Sequence, residues 1–181
     1  PVLVGITGSV GKTTTKEMIA LVLSEKYKTL KTQGNLNNEI GLPKTLFNLD
    51  SSYQAAVIEM GMSDFGEIER LSNTAVPTIG VITNIGFSHI ENLKSQEGIL
   101  KAKLEILSGM KSDAPLIVNG DDRYLAPLKL ELKSSRSVYL YGTGDKCDFR
   151  AKNIIEENGI TRFTLVYNGV NTEIEIPCAG K

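Results

Sequence analysis

Short apolar runs alternate with helix-spaced segments through the first part of the chain, and this change of period predicts its architecture. Residues 2–6, 55–59, 79–83 and 116–119 are near-continuous apolar runs, the pattern of strands buried on both faces. Helical spacing follows the first three, over about residues 12–26, from about Gly66 and from about Ser95. Such alternation predicts a parallel sheet covered by helices. From about Ser137 the pattern becomes strand after strand, at 138–141, 148–155, 161–167 and 170–176. Asn158-Gly159 and Asn168-Gly169 separate the last three, and Asn-Gly is a strong hairpin signal. The expectation is one α/β domain over 1–181. Residues 1–135 would form a mostly parallel sheet flanked by helices, and 136–181 a small antiparallel β extension.

Composition narrows the partners. The 181 residues, 41% hydrophobic and 23% charged, suffice for one core of ordinary size. A net charge of −1 leaves no basic excess for nucleic acid or an acidic membrane face. No run reaches the roughly 18 apolar residues that a membrane span needs. Cys147 and Cys178, with a single histidine, make neither a zinc set nor a disulfide framework, so both read as plain thiols. A soluble, cytoplasmic monomer without nucleic-acid or membrane partners is expected. The chain opens at Pro1 and stops at Ala179-Gly180-Lys181 directly after a strand-like run, so it reads as a piece of something longer.

The candidate chemistry begins with Gly5-Ile6-Thr7-Gly8-Ser9-Val10-Gly11-Lys12-Thr13-Thr14, set between an apolar run and a helical one. Glycines let backbone N–H groups close around phosphate oxygens, the next helix adds its positive end, Lys12 reaches terminal phosphates and Thr13 can ligate magnesium. Ile6 stands where the standard phosphate-loop pattern has glycine, and the G-x-x-G-x-x-G spacing also departs from the dinucleotide fingerprint. The bland alternative is a glycine-rich turn without a ligand.

In parallel α/β sheets ligands gather at the carboxyl ends of strands, and three segments fall there: Thr7 to Thr13, Glu59 to Ser63, and Asn84 to His89. Glu59 is placed for magnesium beside a triphosphate, its alternative being a capping or salt-bridging carboxylate. His89, a structural residue if taken alone, gains a metal or phosphate role from sharing that edge. On the later helix, at about 100° per residue, Lys101 and Lys103 lie about 200° apart. Lys101 has Glu97 and Glu105 at ion-pair spacing and reads as surface. Lys103 has Ile99 and Leu107 at the same spacings and points inward, either snorkelling or functional; periodicity leaves both open.

Thr7 through Thr14, Glu59-Met60-Gly61, Thr83-Asn84-Ile85-Gly86 with His89, and Lys101-Ala102-Lys103 together resemble the ATP-binding central domain of the Mur ligases, over essentially the whole chain. Residues 34–43, Gly-Asn-Leu-Asn-Asn-Glu-Ile-Gly-Leu-Pro, are similar to the branch that adds D-alanyl-D-alanine to UDP-muramoyl tripeptide. The resemblance implies an ATP-dependent ligase of peptidoglycan synthesis. The substrate carboxylate becomes an acyl phosphate, and an incoming amine displaces phosphate. It implies ATP held by Thr7, Gly8, Ser9, Val10, Gly11, Lys12, Thr13, Thr14 and Asn84. It implies a first magnesium on Thr13 and Glu59, and a second on His89 and a carbamylated Lys103. Lys12, His89 and Lys103 would be catalytic. Asn35, Asn37, Asn38 and Glu39 would line the approach of the UDP-MurNAc-tripeptide, against a plain reading of the segment as turn chemistry.

Val10 stands where related loops often have asparagine, and Met62-Ser63-Asp64 replaces a more usual Ala-Asn-His. Competing implications are a folylpolyglutamate synthetase-like or muropeptide ligase, or a catalytically silent nucleotide-binding module. In this family further domains grip the UDP moiety and close over ATP, so the isolated chain is expected to bind nucleotide weakly and not to ligate.

Overall fold

A computed structural model of the chain describes residues 1–177; Cys178 lies outside them. In chain order the elements are β1 (Val2–Thr7), α1 (Lys12–Ser24), β2 (Thr29–Lys31), α2 (Gly41–Leu46), β3 (Ala55–Glu59), α3 (Glu67–Ala75), β4 (Ile79–Ile82), α4 (Ile90–Leu93) and α5 (Gln96–Leu104). A 3-10 turn, Glu105–Gly109, extends α5, and β5 (Leu116–Asn119), α6 (Leu128–Glu131), β6 (Val138–Gly142), β7 (Phe149–Glu157), β8 (Ile160–Tyr167) and β9 (Val170–Ile176) complete the series. Among the described residues no helix is long and apolar enough to cross a membrane.

The strands make one sheet in the order β2-β3-β1-β4-β5-β6-β7-β8-β9. Pairing is parallel from β2 to β7 and antiparallel only across β7, β8 and β9. The expected antiparallel extension from 136 is therefore corrected at its start, because β6 runs parallel to β5 in the register Leu116↔Val138 to Asn119↔Tyr141. The reason is the intervening segment with α6, long enough for a crossover that returns the chain to the same end of the sheet. Val138 and Leu140 are then buried with Leu125 and Leu128. A tight turn follows, in which the Asp121 carboxylate accepts from the amides of Thr143 (2.7 Å) and Gly144 (2.9 Å).

Alternate residues of the central strands feed two cores. Leu3, Ala56, Ile58, Ile82, Leu116 and Val118 pack on the α3 and α5 side with Ile68, Leu71, Ile99 and Ile106. Val4, Ile6, Val57 and Val81 face Ala20, Ile19 and Leu23 of α1 on the other. Every residue of β3 is buried, which is why its sequence is continuously apolar until it reaches Glu59. Carrying a carboxylate to a buried strand end demands partners there.

Candidate active site

The glycine-rich loop is built by close approach. Gly11 adopts φ 79° and begins α1 without a side-chain cap, so the first amides of that helix remain available. At Gly8 a β-carbon would stand 1.8 Å from Thr83 Oγ1, so only glycine lets the loop lie against the tip of β4. That tip straps it down. Asn84 Oδ1 accepts from the amides of Ser9 (3.2 Å) and Val10 (3.0 Å), Thr83 Oγ1 donates to the Val10 carbonyl (2.6 Å), and the Gly86 amide donates to Ser9 Oγ (2.9 Å). The Asn84 side chain is thus occupied with the loop's own backbone. Lys12 Nζ folds onto the carbonyl of Gly8 at 2.9 Å; burial lowers its pKa, opposed by the charge of Glu59. Thr7 Oγ1, at the base of the loop, is buried without a hydrogen-bond partner among the described residues.

Glu59 lies at the centre of the polar cluster and is 2% exposed. Its Oε2 accepts from Thr13 Oγ1 at 3.0 Å and its Oε1 from Asn37 Nδ2 at 2.8 Å, while its amide donates to Thr32 Oγ1 at 3.0 Å. Lys16 Nζ stands 3.9 Å from Oε2 and 3.1 Å from a Glu17 oxygen. Lys16 is fully buried, and sequence reasoning missed it. Its signal was there, since it lies one helical turn after Lys12 and so shares its face of α1.

Lys103 does point inward and is 1% exposed. Desolvation lowers its pKa to about 7, and repulsion from Lys12 adds to the shift, so the two amines sense one another across the site. Lys101 is exposed, as expected, with its ammonium 6.0 Å from the centre of the Phe65 ring. Its expected partner Glu105 is committed elsewhere: its carboxylate accepts from the Gly66 amide at 2.9 Å and from the Glu69 amide at 3.3 Å. Gly66 offers α3 no side-chain cap, so the helix's positive end takes the nearest carboxylate.

His89 is exposed at φ 64° and starts α4, its carbonyl accepting from the amides of Asn92 and Leu93. Among the described residues no group of three or more His, Cys, Asp or Glu is arranged to hold a metal. Asn35 is exposed. Asn38 Oδ1 accepts from the amides of Ile40 (3.2 Å) and Gly41 (2.8 Å) at the start of α2, and Glu39 pairs with Arg70. A cleft of about 340 Å³ opens between Asn38, Glu39, Gly61, Ser63 and Glu67.

This arrangement can be placed among known proteins. The Mur ligase middle domain family matches residues 6–181. The chain belongs to the Mur ligase family. The UDP-N-acetylmuramoyl-tripeptide--D-alanyl-D-alanine ligase of Bacillus subtilis is 46% identical over 179 residues, which is 99% of this Mur ligase middle domain and 38% of that protein. A crystal structure of MurF from Acinetobacter baumannii superposes with a TM-score of 0.90 at 34% identity, over 98% of this chain and 39% of that one. The MurF ligase of Thermotoga maritima in complex with ADP superposes at 0.85 with 32% identity, over 96% and 40%. The chain thus spans about two fifths of the length of these relatives.

Proposed function

We propose that this chain is the ATP- and magnesium-binding middle portion of a cytoplasmic, monomeric ligase that joins D-alanyl-D-alanine to UDP-MurNAc-tripeptide. The relatives' names and the ADP complex of the Thermotoga protein support the reading. The observation that carries it is the meeting of Lys12, Thr13 and Glu59 at neighbouring strand tips beside an uncapped helix start.

The loop, Lys12, Thr13 and Glu59 fit the groups assigned to them. The α1 amides and Lys12, released from the Gly8 carbonyl, would hold the phosphates of ATP, and the unpartnered Thr7 hydroxyl is a polar group at the loop's base that a bound ligand or its water can satisfy. Thr13 and Glu59 offer hard oxygens for one magnesium, and the family resemblance assigns a second to His89 and a carbamylated Lys103. Magnesium, when bound, supplies charge neutralisation on the phosphates. A Lys103 amine that is substantially neutral near pH 7 can add to carbon dioxide, forming an N–C bond and releasing a proton. The resulting anion would turn its repulsion of Lys12 into attraction. The chain's part in acyl-phosphate formation is positioning and charge compensation rather than covalent catalysis.

The test is phosphate release by the full-length parent. Turnover should require ATP, magnesium, UDP-MurNAc-tripeptide and D-alanyl-D-alanine together, whereas residues 1–181 alone should bind nucleotide without ligating. Turnover with a folate or a free muropeptide in place of the tripeptide, and none with the tripeptide, would replace this reading with the other superfamily ligases.

A further inference from the structure

Asn37 belongs to the segment expected to meet substrate, yet it is fastened to β3. Its carbonyl accepts from the Gly61 amide at 2.7 Å, and its Nδ2 donates to Glu59 Oε1 at 2.8 Å. The side-chain amide also lies flat on Gly61: a β-carbon there would stand 2.9 Å from Asn37 Cγ and Oδ1, and 3.1 Å from Nδ2. Gly61 is not among the residues with positive φ, so its glycine is needed for space and not for backbone conformation.

The two oxygens of Glu59 therefore have separate partners. The terminal torsion of a glutamate is broad, so a carboxylate at the end of a strand does not choose its own plane. Asn37 on Oε1 sets that plane, and Oε2 is left towards Thr13. The segment that carries Asn37 is itself held on its far side by Asn38 at the start of α2 and by the Glu39 pair with Arg70.

We propose that Asn37 is a positioning residue that acts through Glu59, with Gly61 as the space its amide requires. This inference rests on the reading of Glu59 as a magnesium ligand. Partners that orient metal-binding carboxylates change metal affinity by roughly 10–100-fold when removed.

The experiment is calorimetry of ADP binding to the full-length parent at increasing magnesium. Asn37→Ala should raise the magnesium concentration needed to tighten ADP binding by about 10–100-fold and leave metal-free ADP affinity unchanged, because Lys12 and the loop amides are untouched. Gly61→Ala should reproduce that shift with Asn37 still present, by displacing its amide. Asn37→Ser, smaller and still polar, should give an intermediate shift and serves if either variant fails to fold. An unchanged magnesium dependence overturns the inference, and so does a raised KM for UDP-MurNAc-tripeptide as the only change, which would make Asn37 a substrate contact. If the unmodified parent shows no magnesium-dependent ADP binding, it is the assignment of Glu59 that fails.

Discussion

The tips of β1, β3 and β4 and the strands β7–β9 belong to one sheet but handle polar groups in opposite ways. Thr7, Ser9, Glu59 and Thr83 at the tips, and Lys16 and Lys103 on α1 and α5, are all buried, and Ser9, Glu59 and Thr83 find hydrogen-bond partners in the loop and its neighbours. In β7 and β9 most residues are exposed, and ionic groups pair across strands in contact with water. The difference follows from cover. Helices pack over both faces of the central strands, so charge there sits in a low dielectric, where each partner matters several times more than at the surface. Polar burial at the tips costs folding energy in exchange for a preorganised site, and β7–β9 bear no such burden.

Removing Glu59 breaks the comparison most severely. Glu59→Ala takes the acceptor from Thr13 and Asn37 and the nearest opposite charge but one from Lys16. With Glu17 still 3.1 Å from Lys16, losing these polar contacts should cost about 1–3 kcal/mol, read by urea denaturation of the chain. A loss below about 1 kcal/mol would put the tips in the same class as an exposed sheet surface.

Lys103 sharpens the contrast through pH. Its folded-state pKa of about 7 lies below the ordinary 10.5, so above pH 7 the unfolded chain holds a proton that the folded chain has released. Stability should therefore rise with pH between about 7 and 10.5, by up to ~1.4 kcal/mol per unit, and the full penalty is present below that window. Lys103→Met should lose this slope. Unfolding free energies of both proteins in carbon-dioxide-free buffer check it, and equal slopes would show that the ammonium reaches water.

What could be read from the residues depended on the range of the forces involved. Lys12, Thr13 and Glu59 were legible because a loop and a strand end announce themselves over a few residues, and Lys103 because helical period alone sends it inward. The parallel pairing of β6 was not, since it depends on where a crossover returns the chain. Helices α2, α4 and α6 are too short to show a period. Asn84, Asn37, Asn38 and Glu105 were chemically visible as polar side chains, but their partners are set by tertiary approach. Lys16 could be placed on the Lys12 face of α1, but its burial depends on β3 packing beside it.

The smallest expected effect lies in the hairpin of β8 and β9, where the register sets Arg162 opposite Glu175 and their side chains meet at 2.7 Å. Both are about half exposed, so water already solvates each charge and the pair gains little beyond a directed cross-strand hydrogen bond. Arg162→Ala should therefore cost less than about 1 kcal/mol. A double-mutant cycle with Glu175→Ala should return a coupling that shrinks as salt is raised, because exposed charges are screened over roughly 10 Å at ordinary ionic strength. A salt-insensitive coupling of several kcal/mol would mean that this face of the sheet is shielded from water in solution, and the distinction between tip and hairpin would then rest on something other than cover.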